Sequence, residues 1–284
     1  MKKKFTALPI FLVLALCAQL GPMAESFASP IKLPKRIISL SPSATEDLFA
    51  IGAGPQVIAV DDYSNFPKNT PKTNLSGFNP NFEAIVKFRP DLVIIQSSAS
   101  KSDAIVSQLK RLKIPVYVEH TPETVAQAYS EINDLGMLTG KISGAKNVID
   151  KMKKQITTIL TSGKINSQNK LFHELDNTLY SATSKTFVGK VYTDFGLTNI
   201  ADAAATADDG GYPQLQNEYI IKSNPDYIFL TDGESLESVK SRPGWAGISA
   251  VVNQKVVILP EDIPSRWGPR IVDFYIAVAK ALKK

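Results

Sequence analysis

One spacing that occurs in each half of the chain constrains the fold more than any other feature. Glu83 lies seven residues before a Pro-Asp pair that begins at Pro90, and Glu218 lies seven residues before another that begins at Pro225. In both places an apolar run follows the pair, which is typical of a buried strand. A repeat of this kind predicts two related lobes, each with one carboxylate at the start of a helix.

Apolar runs of strand length alternate with segments of helical periodicity along most of the chain. This alternation predicts an α/β fold with parallel sheets. A helix is expected to start at Thr121-Pro122, and a second one, capped by Ser143, to run for about 30 Å near the middle of the chain. The predicted strands are 36–40, 57–60, 92–95, 116–118, 171–175, 227–230 and 256–259.

The first 28 residues read as a targeting signal. Three lysines precede an uncharged segment, and small residues before Ser29 suggest a cleavage site. An uncleaved membrane anchor is one alternative, and lipid attachment at Cys17 is another. The predicted organisation is a signal peptide at 1–28, an N-terminal lobe at 29–142, a connecting helix at 143–163 and a C-terminal lobe at 164–284, in an exported soluble protein.

Composition and motifs exclude several classes of function. The single cysteine, Cys17, permits no intrachain disulfide or Cys-rich zinc site, and two histidines cannot build a multi-histidine metal centre. The net charge of +5 would fall to +3 on removal of residues 1–28, with three Lys and one Glu, and this charge is too mild to indicate a nucleic-acid partner. His120 reads as a strand-end residue and His173 as a strand residue. We therefore expect no catalytic residue, no metal site and no cofactor.

Several motifs resemble one family over nearly all of the predicted mature chain. These are residues 36–46, the glycine pair Gly52 and Gly54, residues 62–67, 81–95 and 212–214, Glu218, and the tail 266–270. They are similar to the periplasmic binding proteins of ABC importers for vitamin B12, ferric siderophores and haem, and most similar to the vitamin B12-binding members. The resemblance implies two Rossmann-like lobes, a long and rather stiff connecting helix, and a ligand cleft between the lobes.

The resemblance also implies roles for particular residues. Glu83 and Glu218 correspond to carboxylates, one on each lobe, that meet arginines of a permease dimer in the inner membrane. Aromatic faces and convergent polar groups suit a large flat ligand. The expected ligand-binding residues are Ser41, Tyr63, Phe78, Gln96, Ser97, Tyr212, Asp262, Arg266 and Trp267.

The leading hypothesis is a monomeric periplasmic protein that captures a corrinoid and delivers it to the permease without catalysing a reaction. A ferric siderophore or haem carrier of the same family is the first alternative, because Arg266 and Arg270 could bind an anionic chelate. An exported α/β enzyme is the second, although it lacks a clear nucleophile–base pair. A structural or adhesive role is the third.

Overall fold

Two four-stranded parallel sheets lie at the centre of the fold, and both have the same strand order. The computed structural model describes residues 32–162 and 169–283, so the predicted signal peptide and Cys17 lie outside the described residues. The first sheet has the order β2-β1-β3-β4 and the second the order β6-β5-β7-β8. The strands are β1 (Ile37–Leu40), β2 (Val57–Val60), β3 (Leu92–Gln96), β4 (Val116–Glu119), β5 (Lys170–Glu174), β6 (Thr198–Asn199), β7 (Tyr227–Leu230) and β8 (Val256–Ile258).

Helices connect the strands in each sheet, as parallel pairing requires. With short 3₁₀ turns left aside, they are α1 (Pro42–Ala50), α2 (Phe82–Lys87), α3 (Ser102–Arg111), α4 (Val125–Thr139), α5 (Ile142–Thr161), α6 (Phe187–Asp194), α7 (Asn217–Ser223), α8 (Leu236–Ser241), α9 (Ser249–Val252) and α10 (Ile271–Leu282). The prediction of two α/β lobes with parallel sheets is confirmed. We call the sheet β1–β4 with its helices the first lobe, and the sheet β5–β8 with its helices the second lobe.

The central strands are apolar because both faces of their sheets are covered. Every residue of β1 and β7 is buried, which explains why β7 is a continuous apolar run in the sequence and β1 is apolar except for Ser39. The edge strand β8 is only partly buried and ends in the exposed Ile258.

The two middle helices begin at residues other than those expected. Helix α4 starts at Val125, and Thr124 and Gln127 form a reciprocal capping box at its N-terminus. This capping box satisfies two backbone N–H groups and fixes the start of the helix at Val125. The predicted start at Thr121-Pro122 is therefore wrong. Helix α5 starts at Ile142 without a side-chain cap, so the expected cap at Ser143 is also wrong.

The long helix α5 packs against elements of both lobes. Its 20 residues span about 30 Å, and it contacts α1, α4 and α10. Gly144 permits the approach to α1, because a side chain there would overlap the carbonyl group of Ile51. Met152 and Ile156 of α5 belong to a buried cluster that also contains Ile37 of the first lobe and Phe274 of α10. One apolar cluster therefore spans both lobes, and each lobe has a further buried cluster of its own.

None of the helices in the described part of the chain is sufficiently long and apolar to cross a bilayer.

Candidate ligand-binding site

A cavity of about 630 Å³ opens at the carboxyl ends of the strands. Asp176 follows β5 and Asp232 follows β7. These two strands are neighbours in the second sheet, and the chain continues from β5 to one side, with β6, and from β7 to the other, with β8. Open α/β sheets bind ligands at such a switch point. Thr121 follows β4 and brings the first lobe to the same cavity. The described lining residues are Thr121, Leu175, Asp176, Phe187, Val188, Tyr212, Thr231, Asp232, Glu261, Pro264, Ser265 and Trp267.

Two aromatic residues expected to bind ligand, Tyr212 and Trp267, meet in this cavity although they lie far apart in the sequence. Tyr212 is 39% exposed, and partial burial raises the pKa of its phenol. Phe187 and Val188, from the start of α6, add an apolar surface beside them. The wall combines aromatic faces with a few polar groups, as pockets for small molecules commonly do.

The segment that carries Trp267 belongs to the second half of the sequence but is attached to the first lobe. The indole Nε1 of Trp267 donates to Glu119 Oε1 over 3.2 Å, and its backbone N–H donates to Ser43 Oγ over 3.4 Å. Arg270 donates to Glu46 through Nε over 2.9 Å and also through Nη2. These contacts hold the segment between the lobes.

Asp262 and Arg266, both expected to bind ligand, are part of the same network. Arg266 Nη2 donates to Asp262 Oδ1 over 3.0 Å, and Asn65 of the first lobe donates to Asp262 Oδ2 over 2.9 Å. Arg266 Nε also lies 3.8 Å from an oxygen of Glu46. Both side chains are therefore engaged by protein partners in this structure.

Three further carboxyl groups lie close to Trp267. Asp47 and Glu119 are each 1% exposed, and neither oxygen of Asp47 has a hydrogen-bond partner among the described residues. Burial raises the pKa of Asp47 well above its usual range and that of Glu119 to about 7. Burial, and then the charges of Glu119 and Asp134, raise the pKa of Glu131 to about 8. These three carboxyl groups therefore keep their protons to a higher pH than carboxyl groups in water do.

The other expected ligand-binding residues lie in the first lobe, and none is among the residues that line this cavity. Ser41 is completely buried and caps α1, with its hydroxyl oxygen accepting from Ala44 N. Gln96 donates to the same oxygen over 3.3 Å, and Ser97 follows it at the end of β3. Tyr63 and Phe78 occupy loops and are 66% and 71% exposed. The structure thus gives Ser41 a role as a helix cap and leaves Tyr63 and Phe78 free at the surface.

The two repeated glutamates occupy equivalent places. Glu83 lies in the first turn of α2 and Glu218 in the first turn of α7, and both are exposed. Each helix immediately precedes the third strand of its lobe, β3 or β7.

Sequence reasoning missed most of the cavity wall, notably Asp176, Thr231 and Asp232. A signal for them was present, because they follow predicted strands directly, where α/β proteins bind ligands. Among the described residues, no group of three or more His, Cys, Asp and Glu side chains is placed to hold a metal ion.

Comparisons with known proteins agree with this geometry. The model of the periplasmic binding protein family matches residues 37–263. The uncharacterized ABC transporter substrate-binding lipoprotein YvrC of Bacillus subtilis is 31% identical over 88% of this chain and 81% of its own. The vitamin B12-binding protein of Vibrio cholerae is 26% identical over 90% of this chain and 94% of its own.

A solved structure extends the agreement to three dimensions. A possible iron-binding, periplasmic solute-binding protein from Staphylococcus epidermidis superposes with a TM-score of 0.77 at 28% identity, covering 89% of this chain and 100% of that one. The family model matches well over half of the sequence, and the two-lobed α/β architecture is the same. This chain therefore belongs to the periplasmic binding protein family, as a solute-binding protein of an ABC importer.

Proposed function

We propose that this protein captures a corrinoid, a vitamin B12-like ligand, outside the cytoplasm and delivers it to an ABC permease dimer in the inner membrane. The observation that carries the proposal is the cavity at the strand ends, with Tyr212 and Trp267 in its wall. Aromatic faces suit the flat corrin macrocycle, and the polar groups around them suit its amide side chains. The Vibrio cholerae relative, named as a vitamin B12-binding protein, supports this choice of ligand.

The rest of the proposal follows the family. One buried apolar cluster joins the two lobes through α5, which favours a largely pre-formed cleft and a small closure on binding. The exposed carboxylates of Glu83 and Glu218 would dock on the permease, and the protein would act as a monomer. Export would use the segment 1–28 as a cleaved signal. Anchoring through Cys17 is the alternative, which the lipoprotein relative supports.

Calorimetric titration tests the ligand. The purified protein would be titrated with cyanocobalamin, a ferric hydroxamate and haem under identical conditions. We expect micromolar or tighter binding of cyanocobalamin and weaker binding of the other two. Silence with cyanocobalamin, together with tight binding of another ligand, would remove the corrinoid assignment.

A ferric siderophore is the second candidate. The Staphylococcus epidermidis structure, described as that of a possible iron-binding protein, supports it. A siderophore carrier would bind the ferric hydroxamate in the same titration and leave cyanocobalamin unbound.

A further inference from the structure

The cavity wall carries negative charge without a matching positive group. Three of its described lining residues are acidic, namely Asp176, Asp232 and Glu261. The described lining residues include no Lys, Arg or His. A cavity with walls of one sign attracts ligands of the opposite sign and repels those of the same sign. Among ligands whose shape fits the cavity, the wall therefore favours those with a positive charge over those with a negative charge.

The arginines close to the cavity offset its negative charge only in part, because each is already paired with an acidic residue outside the lining set. Arg266 pairs with Asp262 over 3.0 Å, and Arg270 pairs with Glu46 over 2.5 Å. Arg242 makes two hydrogen bonds of 2.6 and 2.7 Å to the carboxylate of Glu174, and its charge also acts on Asp232. A ligand anion could recruit one of these arginines only by displacing a carboxylate that is already in place.

The two aspartates are held in place by tight turns after β5 and β7. Asp176 Oδ1 accepts from Thr178 N over 2.8 Å, and Asp232 Oδ1 accepts from Glu234 N over 3.1 Å. The second oxygen of Asp232 is buried and receives no hydrogen bond from an N–H or hydroxyl group of the described residues. It faces the carboxyl group of Glu174, whose pKa is raised to about 7 by burial first and also by Asp232. A ligand that brings a donor or a positive charge would relieve the repulsion between these carboxyl groups, whereas an anion would increase it.

From this wall we propose that the protein selects, among corrinoids, those that carry a net positive charge and no phosphate, namely cobinamide-type corrinoids without the nucleotide arm. The inference rests on the proposed function and narrows its ligand class. In cyanocobalamin the phosphate of the nucleotide arm adds a negative charge. Aquacyanocobinamide lacks the arm and is singly positive, while dicyanocobinamide has the same ring and is neutral. Haem, with two propionates, is the least suited of the family's ligands.

Calorimetric titration with these three corrinoids tests the proposal. At low salt we expect aquacyanocobinamide to bind about tenfold more tightly than dicyanocobinamide or cyanocobalamin, the size of effect that one charge produces at short range in a partly solvated site. Higher ionic strength should reduce this preference, because salt screens partly exposed charges. Equal affinities at low salt, or a preference insensitive to salt, would overturn the proposal.

Substitution locates the effect. Asp176→Asn and Asp232→Asn keep the oxygen that accepts in each turn and remove one charge, so we expect the preference in each to fall severalfold. Asp208→Asn removes the same charge from an exposed site outside the lining residues, and it should keep the full preference. A preference unchanged in both cavity variants, with native thermal unfolding, would contradict the inference.

The outcomes also separate this inference from the proposed function. Binding of cyanocobalamin with no preference for charge would overturn the inference and leave the corrinoid carrier intact. Failure of all three corrinoids to bind would overturn both.

Discussion

The ion pair of Arg270 and Glu46 joins residues that lie far apart in the chain. Glu46 is 3% exposed and receives two hydrogen bonds from the guanidinium group. Burial raises the pKa of Glu46, and the hydrogen bonds and charge of Arg270 oppose that rise. The guanidinium group also lies over the ring of Phe66, 4.5 Å from its centroid. This arginine, which the sequence offered together with Arg266 for an anionic chelate, is thus paired with Glu46 and fixes the segment that carries Trp267.

We predict that Arg270→Ala lowers the free energy of unfolding by about 3 kcal/mol, because it leaves the buried carboxyl group of Glu46 without its main partner. Urea unfolding measures the change. The matched control is Lys146→Ala, which breaks an exposed pair with Asp150 and should cost less than about 1 kcal/mol. Equal effects of the two substitutions would show that the pair contributes no more than a surface contact.

The repeated elements of the two lobes are the part of the fold that the sequence predicted best. The matching Glu and Pro-Asp spacing indicated two related lobes, and both sheets indeed have the same strand order. Glu83 and Glu218 both lie in the first turn of a helix, as expected. Buried parallel strands have a strong apolar signal, so they were predicted closely.

Other elements were missed for physical reasons. Strand β6 has only two residues, too few for a periodic pattern. The apolar pattern of the sequence indicates a helix only over 191–195, whereas α6 begins at Phe187, because Thr186 caps it and Gly189 packs closely against Thr183. The cavity wall depends on which strands are neighbours in the sheet, and apolar patterns along the chain do not specify that order.

The short helices α2 and α7 hold Glu83 and Glu218, the two residues proposed to dock on the permease. We expect the double variant Glu83→Ala with Glu218→Ala to lose most transport, because charge-assisted pairs with arginines orient such complexes. Ligand affinity should stay within about twofold, since neither residue lines the cavity. Uptake of labelled cyanocobalamin by cells and calorimetry on the purified protein give the two readouts.

The control is a second double variant, Glu123→Ala with Glu237→Ala, which removes one exposed carboxylate from each lobe outside α2 and α7. It should transport normally. Normal uptake by the Glu83 and Glu218 variant would disprove docking through these residues, and equal losses in both variants would indicate a general effect of charge.

The buried titratable groups make the stability of the whole molecule depend on pH. Glu119, with a pKa of about 7, and Glu131, with a pKa of about 8, bind protons in the folded state that the unfolded chain, with ordinary values near 4.5, has already released. The stability that these two groups give the fold is fully present below their pKa in the unfolded chain, and it is lost as the pH rises through their pKa values in the folded protein. His173 acts in the opposite direction: burial lowers its pKa to about 3, so it destabilises the fold only as the pH falls below about 6.5.

Between pH 6.5 and pH 8 the raised carboxyl groups therefore dominate, and we predict that the Tm falls as the pH rises across this window. Glu131→Gln should reduce the fall, because the amide cannot ionise, and should make the protein more stable than the original chain at pH 8. Asp150→Asn, at an exposed position on α5, serves as the control and should leave the slope unchanged. Thermal unfolding by circular dichroism at several pH values measures it. If Tm depended on pH equally in the Glu131 variant and the original chain, this carboxyl group would ionise in the folded protein as freely as in water. The carboxyl groups close to Trp267 would then have to be open to solvent.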